Sequence, residues 1–330
     1  MGELSVRLFR VDNGEGWKLA LRRHVDPDAL DTHRRPVAIL PGYGMNGFIF
    51  TYHPEGPSMA ETFARAGFEF WTVDLRAQGD SLPDGGASSY RLEDAGLTDL
   101  RCVLRFIERH TASTRPLVDV IGCSLGATYA FMHVALEPEH RVAALVSIGG
   151  PLRYQRIHPA VRAAFSSPTL AGMVPFWGTS LMAELALPLV AGRAPWLLRL
   201  YLRAENVDLD KAQVLVRTVE DPVPAVNEQI ARWLKDKDLV VDGRNVTGEF
   251  HRFGGPFFCL YGNADGIVPQ DTAMTAFTHT GSAIREVMAL GDDRIKMAHA
   301  DPYVSRYSHD ALFRPMIDWL SSDPVRGYKR

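Results

Sequence analysis

The chain opens with two stretches in which apolar and polar residues alternate, at positions 5–11 and 17–24. In the second stretch the apolar residues recur at the two-residue period of a strand with one buried face, at Trp17, Leu19 and Leu21. An Asp-Asn-Gly sequence at positions 12–14 separates the two stretches and favours a turn. These patterns predict an antiparallel hairpin at the start of the chain.

Beyond position 35 the alternation gives way to short, nearly continuous apolar runs. Such runs are typical of strands that are buried on both faces of a parallel sheet. They lie at positions 36–40, 68–75, 116–122, 142–148 and 256–261, and a further strand is predicted at 285–290. Helical patterns, with apolar residues three or four positions apart, separate them at 97–107 and 127–136 and close the chain at 310–320. This succession predicts an α/β protein with a mostly parallel central sheet.

The region from 151 to 250 departs from this alternation of strands and helices, because no buried strand is evident between its helical patterns. Residues 171–202 are mainly apolar or aromatic, and several prolines interrupt them. A membrane span at 169–192 is the alternative, but Glu184 and two prolines argue against it. We therefore predict a helical cap at 151–250, inserted into a core formed by residues 1–150 and 251–330, and no integral membrane span.

Composition narrows the class of protein. The 330 residues carry a net charge of -3 and the pI is about 6.4, which does not suggest a nucleic-acid partner. Three scattered cysteines argue against a disulfide framework and against a zinc site made of cysteines. The first residues lack the apolar segment of a signal peptide, so we expect a cytoplasmic protein. No metal-ligand spacing or dinucleotide fingerprint is evident, and we predict neither metal nor cofactor.

One short sequence motif is typical of a catalytic nucleophile. Gly122, Ser124 and Gly126 form a G-x-S-x-G sequence between a predicted strand and a predicted helix. In that context the serine sits on a sharp turn with its oxygen exposed, and the start of the helix favours negative charge beside it. We predict Ser124 as the nucleophile and Gly122 and Gly126 as the small residues of the turn. Cys123 lies one residue away from the nucleophile position, and we interpret it as a packing residue.

Together with this motif, three other segments resemble the α/β-hydrolase superfamily, in the order found there. They are the LPGYG sequence at 40–44, the DLRAQGDS sequence at 74–81 and the LYGNADGIVP sequence at 260–269. The resemblance covers most of the chain and implies the α/β-hydrolase fold, with an N-terminal antiparallel hairpin and a helical cap. Positions 41–81 are similar to lipases with helical caps. The chain departs from the pattern at Pro41, where most members have histidine, and at Ala77-Gln78, where Gly-His is usual.

A serine needs a base to take its proton, and the superfamily order of serine, acid, histidine places that base late in the chain. His299 and His309 are the candidates. His299 follows the predicted last strand and resembles the superfamily's H-x-D loop, whereas His309 lies in a Ser-His-Asp sequence typical of a helix start. We favour His299 as the base.

Asp265 is the predicted acid, because it ends a strand within the matching motif. Asp292 and Asp293 are the rivals, but they follow a glycine and are typical of a turn. The position after the sixth strand, used by some relatives, offers no carboxylate here. Asp301 is interpreted as a residue that supports the site without touching the substrate, or as a purely structural residue.

The resemblance also implies an oxyanion hole made of the backbone N–H groups of Leu125 and Tyr43, which would stabilise a tetrahedral intermediate. The apolar residues of the predicted cap are expected to line an acyl pocket, with Phe176, Trp177 and Met182 as candidates. The sequence thus predicts a serine hydrolase of the carboxylesterase or lipase type, acting on a small-molecule ester with a hydrophobic acyl group. An acyltransferase, a haloperoxidase-type enzyme or a non-catalytic binding protein are the alternatives.

Overall fold

The hairpin and the parallel strands form one sheet in the computed structural model, which describes residues 2–167, 169, 198–221 and 223–329, with 212 and 213 by backbone alone. The hairpin consists of β1 (Ser5–Asp12) and β2 (Trp17–Val25), which pair antiparallel. The other strands of the sheet are β3 (Val37–Leu40), β4 (Phe70–Asp74), β5 (Leu82–Pro83), β6 (Val118–Cys123) and β7 (Val142–Ile148). Outside it lie the two-residue strands β8 (Val240–Val241) and β9 (Arg244–Asn245), and the sheet ends with β10 (Phe257–Gly262) and β11 (Arg285–Leu290). The predicted hairpin and strands are confirmed.

The order of strands in the sheet is β1-β2-β4-β3-β6-β7-β10-β11, with β5 paired to β2. All neighbours from β4 to β11 run parallel. The carboxyl ends of β3, β6, β7, β10 and β11 therefore meet at one edge of the sheet, where the loops that follow these strands come together. Ligand sites in open α/β sheets are found at this edge.

Helices cover both faces of the sheet. In the described parts of the chain they are α1 (Met59–Arg65), α2 (Leu100–His110), α3 (Leu125–Leu136), α4 (Pro159–Ala164), α5 (Leu209–Ala212), α6 (Pro224–Asp236), α7 (Val246–Glu249), α8 (Gln270–His279), α9 (Asp301–Val304), α10 (Arg314–Ser321) and α11 (Asp323–Gly327). Short 3-10 helices lie at Gly47–Phe50, Gln213–Thr218 and Phe250–Arg252. The helical turns at Asp94–Asp99 and His309–Phe313 have π geometry and lead directly into α2 and α10.

Alternate residues of each strand pack in two separate cores, because successive side chains of a strand point to opposite faces of the sheet. On β3, Ala38 and Leu40 pack in a cluster with residues of α2 and α3. Val37 and Ile39 instead pack in a cluster with residues of α1 and α10. All four side chains are fully buried, which explains why all four residues of the strand are apolar.

The region predicted as a cap contributes to one of these cores. Ile230 and Trp233 on α6 belong to the same buried cluster as α3, and Phe250 packs against Phe131 with ring centroids 4.8 Å apart. The β8–β9 hairpin was not expected there, because two residues per strand are too few to give a period. The division into core and cap stays a prediction. Within the described ranges, no helix is long and apolar enough to cross a membrane.

Candidate active site

The predicted nucleophile, Ser124, lies between β6 and α3 with φ at 52° and ψ at -118°. Residues other than glycine rarely adopt this backbone conformation. It persists only where the surrounding structure holds the backbone in place. The backbone N–H of Ser124 donates to the carbonyl oxygen of Ile148 at the end of β7 (2.9 Å). The turn is therefore fixed to the carboxyl edge of the sheet.

The glycines on either side of Ser124 have no room for a side chain. A Cβ atom on Gly122 would lie 2.3 Å from the Cα of Ala127 on the first turn of α3. A Cβ atom on Gly126 would lie 2.4 Å from the carbonyl oxygen of Leu40, at the end of β3. The helix thus approaches both its own strand and the neighbouring strand as closely as backbone atoms allow, which only glycine permits.

Asp265 and His299, the predicted acid and base, are in direct contact. Asp265 follows β10, His299 follows β11, and the His299 Nδ1 lies 2.6 Å from the Asp265 Oδ2. The other carboxylate oxygen of Asp265, Oδ1, accepts hydrogen bonds from the backbone N–H groups of Ile267 and Val268, both at 2.8 Å. The carboxylate is therefore held from both sides, and one oxygen remains for the imidazole.

Gly149 connects this pair to the serine turn. It follows Ile148, whose carbonyl holds Ser124, and its own N–H donates to the carbonyl of Leu260 on β10 (2.8 Å). A Cβ atom on Gly149 would lie 3.3 Å from the Asp265 Oδ2 and 3.4 Å from the His299 Cε1. Since φ of Gly149 is +58°, a larger residue would be strained there as well as crowded. The serine turn and the Asp265–His299 pair thus lie at adjoining strand ends.

The rival residues have other partners. The His309 Nε2 lies 2.9 Å from the carbonyl oxygen of Pro57, and its ring packs on His53 with centroids 4.7 Å apart. The Asp292 Oδ1 accepts from the backbone N–H groups of Arg294 and Ile295 at 2.7 Å, which is a turn interaction. These contacts favour the assignment of Asp265 and His299.

The loop after β3 packs directly on Ser124. A Cβ atom on Gly42 would lie 3.0 Å from the Ser124 Cβ, and the Tyr43 hydroxyl donates to the Asn227 Oδ1 on α6. Leu125 is the first residue of α3, so its N–H has no carbonyl within the helix to bond. Both predicted oxyanion donors therefore belong to backbone that borders Ser124.

A second segment supports this loop and was not predicted. The Asn46 N–H donates to the carbonyl of Thr218 (2.9 Å), and the Glu220 N–H donates to the carbonyl of Gly44 (2.8 Å). Met45 and Val219 form the antiparallel bridge between them. Residues 217–220 thus lie along the loop, where the end of the 3-10 helix passes into a strand-like pairing at Val219. No local sequence pattern predicts such a pairing, because it joins positions that are far apart in the sequence.

Cys123 is buried, and burial raises the pKa of its thiol to about 12. A thiol with this pKa stays protonated at neutral pH and is a poor nucleophile. Its interpretation as a packing residue agrees with these properties. In the described ranges, no group of three or more His, Cys, Asp or Glu side chains is arranged to hold a metal ion.

An apolar cavity of about 210 Å³ adjoins the site. Met45 lines it from the loop after β3, and Tyr201 and Ala300 line it beside His299, whose ring lies 6.0 Å from that of Tyr201. Tyr201 exposes 44% of its surface. The remaining described lining is mostly aliphatic: Gly44, Ile49, Leu198, Leu202, Leu209, Leu215, Val216, Thr218, Val219 and Val304. The predicted pocket residues Phe176, Trp177 and Met182 lie outside the described residues.

A family model supports the motif analysis. The family described as Hydrolase_4, serine aminopeptidase, S33, matches residues 37–290, which include the serine turn and Asp265. The chain belongs to this family. The S33 family is part of the α/β-hydrolase superfamily, so the superfamily predicted from the motifs is confirmed, and the chain is a member of a hydrolase family. Among curated proteins, none matches the sequence.

Solved structures of the same fold include hydrolases at low sequence identity. A hydrolase from Pseudomonas aeruginosa PA01 is 14% identical with a TM-score of 0.62, and 96% of this chain and 99% of that one are covered. An esterase from Exiguobacterium antarcticum is 15% identical with the same TM-score and coverage. A thermophilic esterase from Thermogutta terrifontis is 16% identical with a TM-score of 0.62, covering 98% and 99%. These likenesses establish the α/β-hydrolase fold.

Proposed function

We propose that this protein is a serine hydrolase that cleaves a carboxylic ester with a hydrophobic acyl group, through an acyl-enzyme on Ser124. The observation that carries the proposal is the 2.6 Å contact between His299 and Asp265 beside the strained serine turn. The esterase neighbours agree with this reaction class.

The roles of the residues follow from their contacts. Asp265 accepts the Nδ1–H of His299 and so keeps the lone pair of the imidazole on Nε2, where it can take the proton of the Ser124 hydroxyl. The serine oxygen then attacks the ester carbonyl. The N–H groups of Leu125 and Tyr43 are suited to stabilise the negative oxygen that forms. His299 next protonates the leaving alcohol, and water attacks the acyl-enzyme in the second half of the reaction.

The apolar cavity supports a hydrophobic acyl group. Its volume of about 210 Å³ has room for roughly seven water-sized groups at about 30 Å³ each. We therefore expect a preference for acyl chains of medium length. The family description names an aminopeptidase, which must bind a substrate ammonium group. None of the described lining residues of this cavity is acidic, and this favours an uncharged acyl group.

The test compares wild type with Ser124→Ala. Each protein is treated with a fluorophosphonate probe and then assayed on p-nitrophenyl esters of increasing chain length and on amino-acid p-nitroanilides. We expect labelling and ester turnover in the wild type alone, with an optimum near six to eight carbons, in keeping with roughly seven water-sized groups. Faster cleavage of the anilides would move the assignment to an aminopeptidase. A folded wild type without labelling would remove the proposed nucleophile and favour a binding protein.

Acyl transfer on the same residues is the remaining alternative. Transfer differs only in the nucleophile that attacks the acyl-enzyme, so a competing alcohol in the assay distinguishes it. Ester product in place of free acid would identify a transferase.

A further inference from the structure

Residues 200–206 connect the loops that carry Asp265 and His299. The N–H of Gly266, next to Asp265, donates to the carbonyl of Leu200 (3.3 Å). The N–H of Ala300, next to His299, donates to the carbonyl of Tyr201 (2.7 Å). One short segment thus contacts the immediate neighbours of both the predicted acid and the predicted base.

Asp301 also links the loop of His299 to this segment. Its side chain is completely buried, and its Oδ1 accepts from the N–H of Arg203 (2.8 Å). Its Oδ2 accepts from the N–H of Ala298 (2.9 Å), the residue before His299, and from the Asn206 Nδ2 (3.0 Å). The carboxylate therefore joins the loop of the base to residues 203 and 206.

Asn206 completes the network. Its Nδ2 donates both to Asp301 and to the carbonyl of Lys296 (2.6 Å), in the same loop, and its side chain is buried. An Nδ2 carries two hydrogens, and both are used here. Because a buried acceptor without its donor is costly, loss of this amide should let the loop move.

We propose that Asn206 and Asp301 are positioning residues, which hold His299 in place by fixing its loop to segment 200–206. This inference rests on the proposed function. Neither side chain has to touch the substrate. Their effect is exerted through the backbone of Lys296 and Ala298, which precede His299 in the loop. Without these contacts the loop would be free to shift.

The charged groups around this network have partners of their own. The Arg203 guanidinium pairs with Glu205 (2.9 Å), the Arg306 guanidinium reaches Glu55 (4.0 Å), and His299 pairs with Asp265. Lys296 contributes its carbonyl oxygen. A new acid at position 206 would therefore act mainly on Asp301, its direct neighbour.

The variant that tests the proposal is Asn206→Asp, assayed from pH 5.5 to 8.5 as a ratio to wild type. The protonated acid can donate to Asp301, whereas the ionised acid cannot and repels it, so the ratio should fall as pH rises. The repulsion and burial also raise the pKa of the new acid above the ordinary value of an aspartate. We expect the ratio of kcat values to fall at least tenfold across the range, with KM nearly unchanged.

Asn245→Asp is the matched control, since Asn245 is exposed and its Oδ1 accepts from the Gly248 N–H, which a carboxylate oxygen can also do, and it should keep the wild-type rate. Asn206→Leu should lose kcat at every pH, and Asn206→Gln should recover part of it. These two variants decide the question if Asn206→Asp fails to fold. A wild type that is labelled by fluorophosphonate, with Asn206 variants labelled equally fast at all pH values, would overturn this inference alone. A wild type without labelling would overturn the proposed function instead.

Discussion

Replacing Asp265 with asparagine examines the role of the acid by changing one atom. The amide has two possible orientations. If its NH₂ faced the N–H groups of Ile267 and Val268, both would lose their acceptor, at about 1–3 kcal/mol for the buried donor of Val268. The amide oxygen therefore stays on those N–H groups, and the NH₂ points at the His299 Nδ1.

An NH₂ group at the Nδ1 forces the imidazole to accept there and to carry its proton on Nε2. In that tautomer His299 has no lone pair for the serine proton. In a Ser-His-Asp site this change lowers kcat about 10⁴-fold, which corresponds to about 5 kcal/mol at 1.36 kcal/mol per tenfold. We expect a loss of this order for Asp265→Asn with the thermal midpoint close to that of wild type.

The assay is steady-state hydrolysis of a p-nitrophenyl ester, with the rate of fluorophosphonate labelling as a second measurement. Asp292→Asn is the matched control, because the Asp292 Oδ1 also accepts two backbone N–H groups but lies in a turn. We expect the control to stay within a few-fold of wild type. A loss of less than tenfold for Asp265→Asn, or a larger loss for Asp292→Asn, would refute the reasoning.

Two other predictions concern histidines. His299→Ala should lower the labelling rate of Ser124 by several orders of magnitude, while His309→Ala should leave it nearly unchanged; the reverse would make His309 the base. Burial lowers the pKa of His133 to about 3, so the folded state favours neutral imidazole, and stability is full above the unfolded pKa of about 6.5 and falls below it. His133→Gln should therefore reduce the loss of unfolding free energy between pH 7 and pH 5 by about 2 kcal/mol, as measured by urea denaturation; an unchanged loss would contradict this.

The fold and the motifs were predictable because their signals are local. A strand buried on both faces has to be mostly apolar, and β3, β6, β7 and β10 follow this rule apart from the buried Asp119 and Ser147. The serine turn requires glycine at 122 and 126 because backbone atoms lie where a Cβ would be. The contact of Asp265 with His299 then follows from the order of the strands, since β10 and β11 are neighbours.

The supporting contacts were not predictable, because they join positions without a shared pattern. Residues 217–220 pair with the loop after β3, and segment 200–206 bonds to the loops after β10 and β11. Strand β5, at two residues, is too short to show a period. The cavity was equally hidden, since three separate stretches line it and apolar residues that face a cavity look the same in sequence as those that face the core.

The pairing of residues 217–220 with Gly44–Asn46 has a consequence for protein engineering. A chimera that treats the predicted cap as an exchangeable unit would replace residues 151–250 together. Here residues 217–220, within the predicted cap, pair with the loop that borders Ser124, so a graft that replaces residues 151–250 as a unit would remove the support of this loop. A workable exchange has to keep residues 198–221 with the recipient.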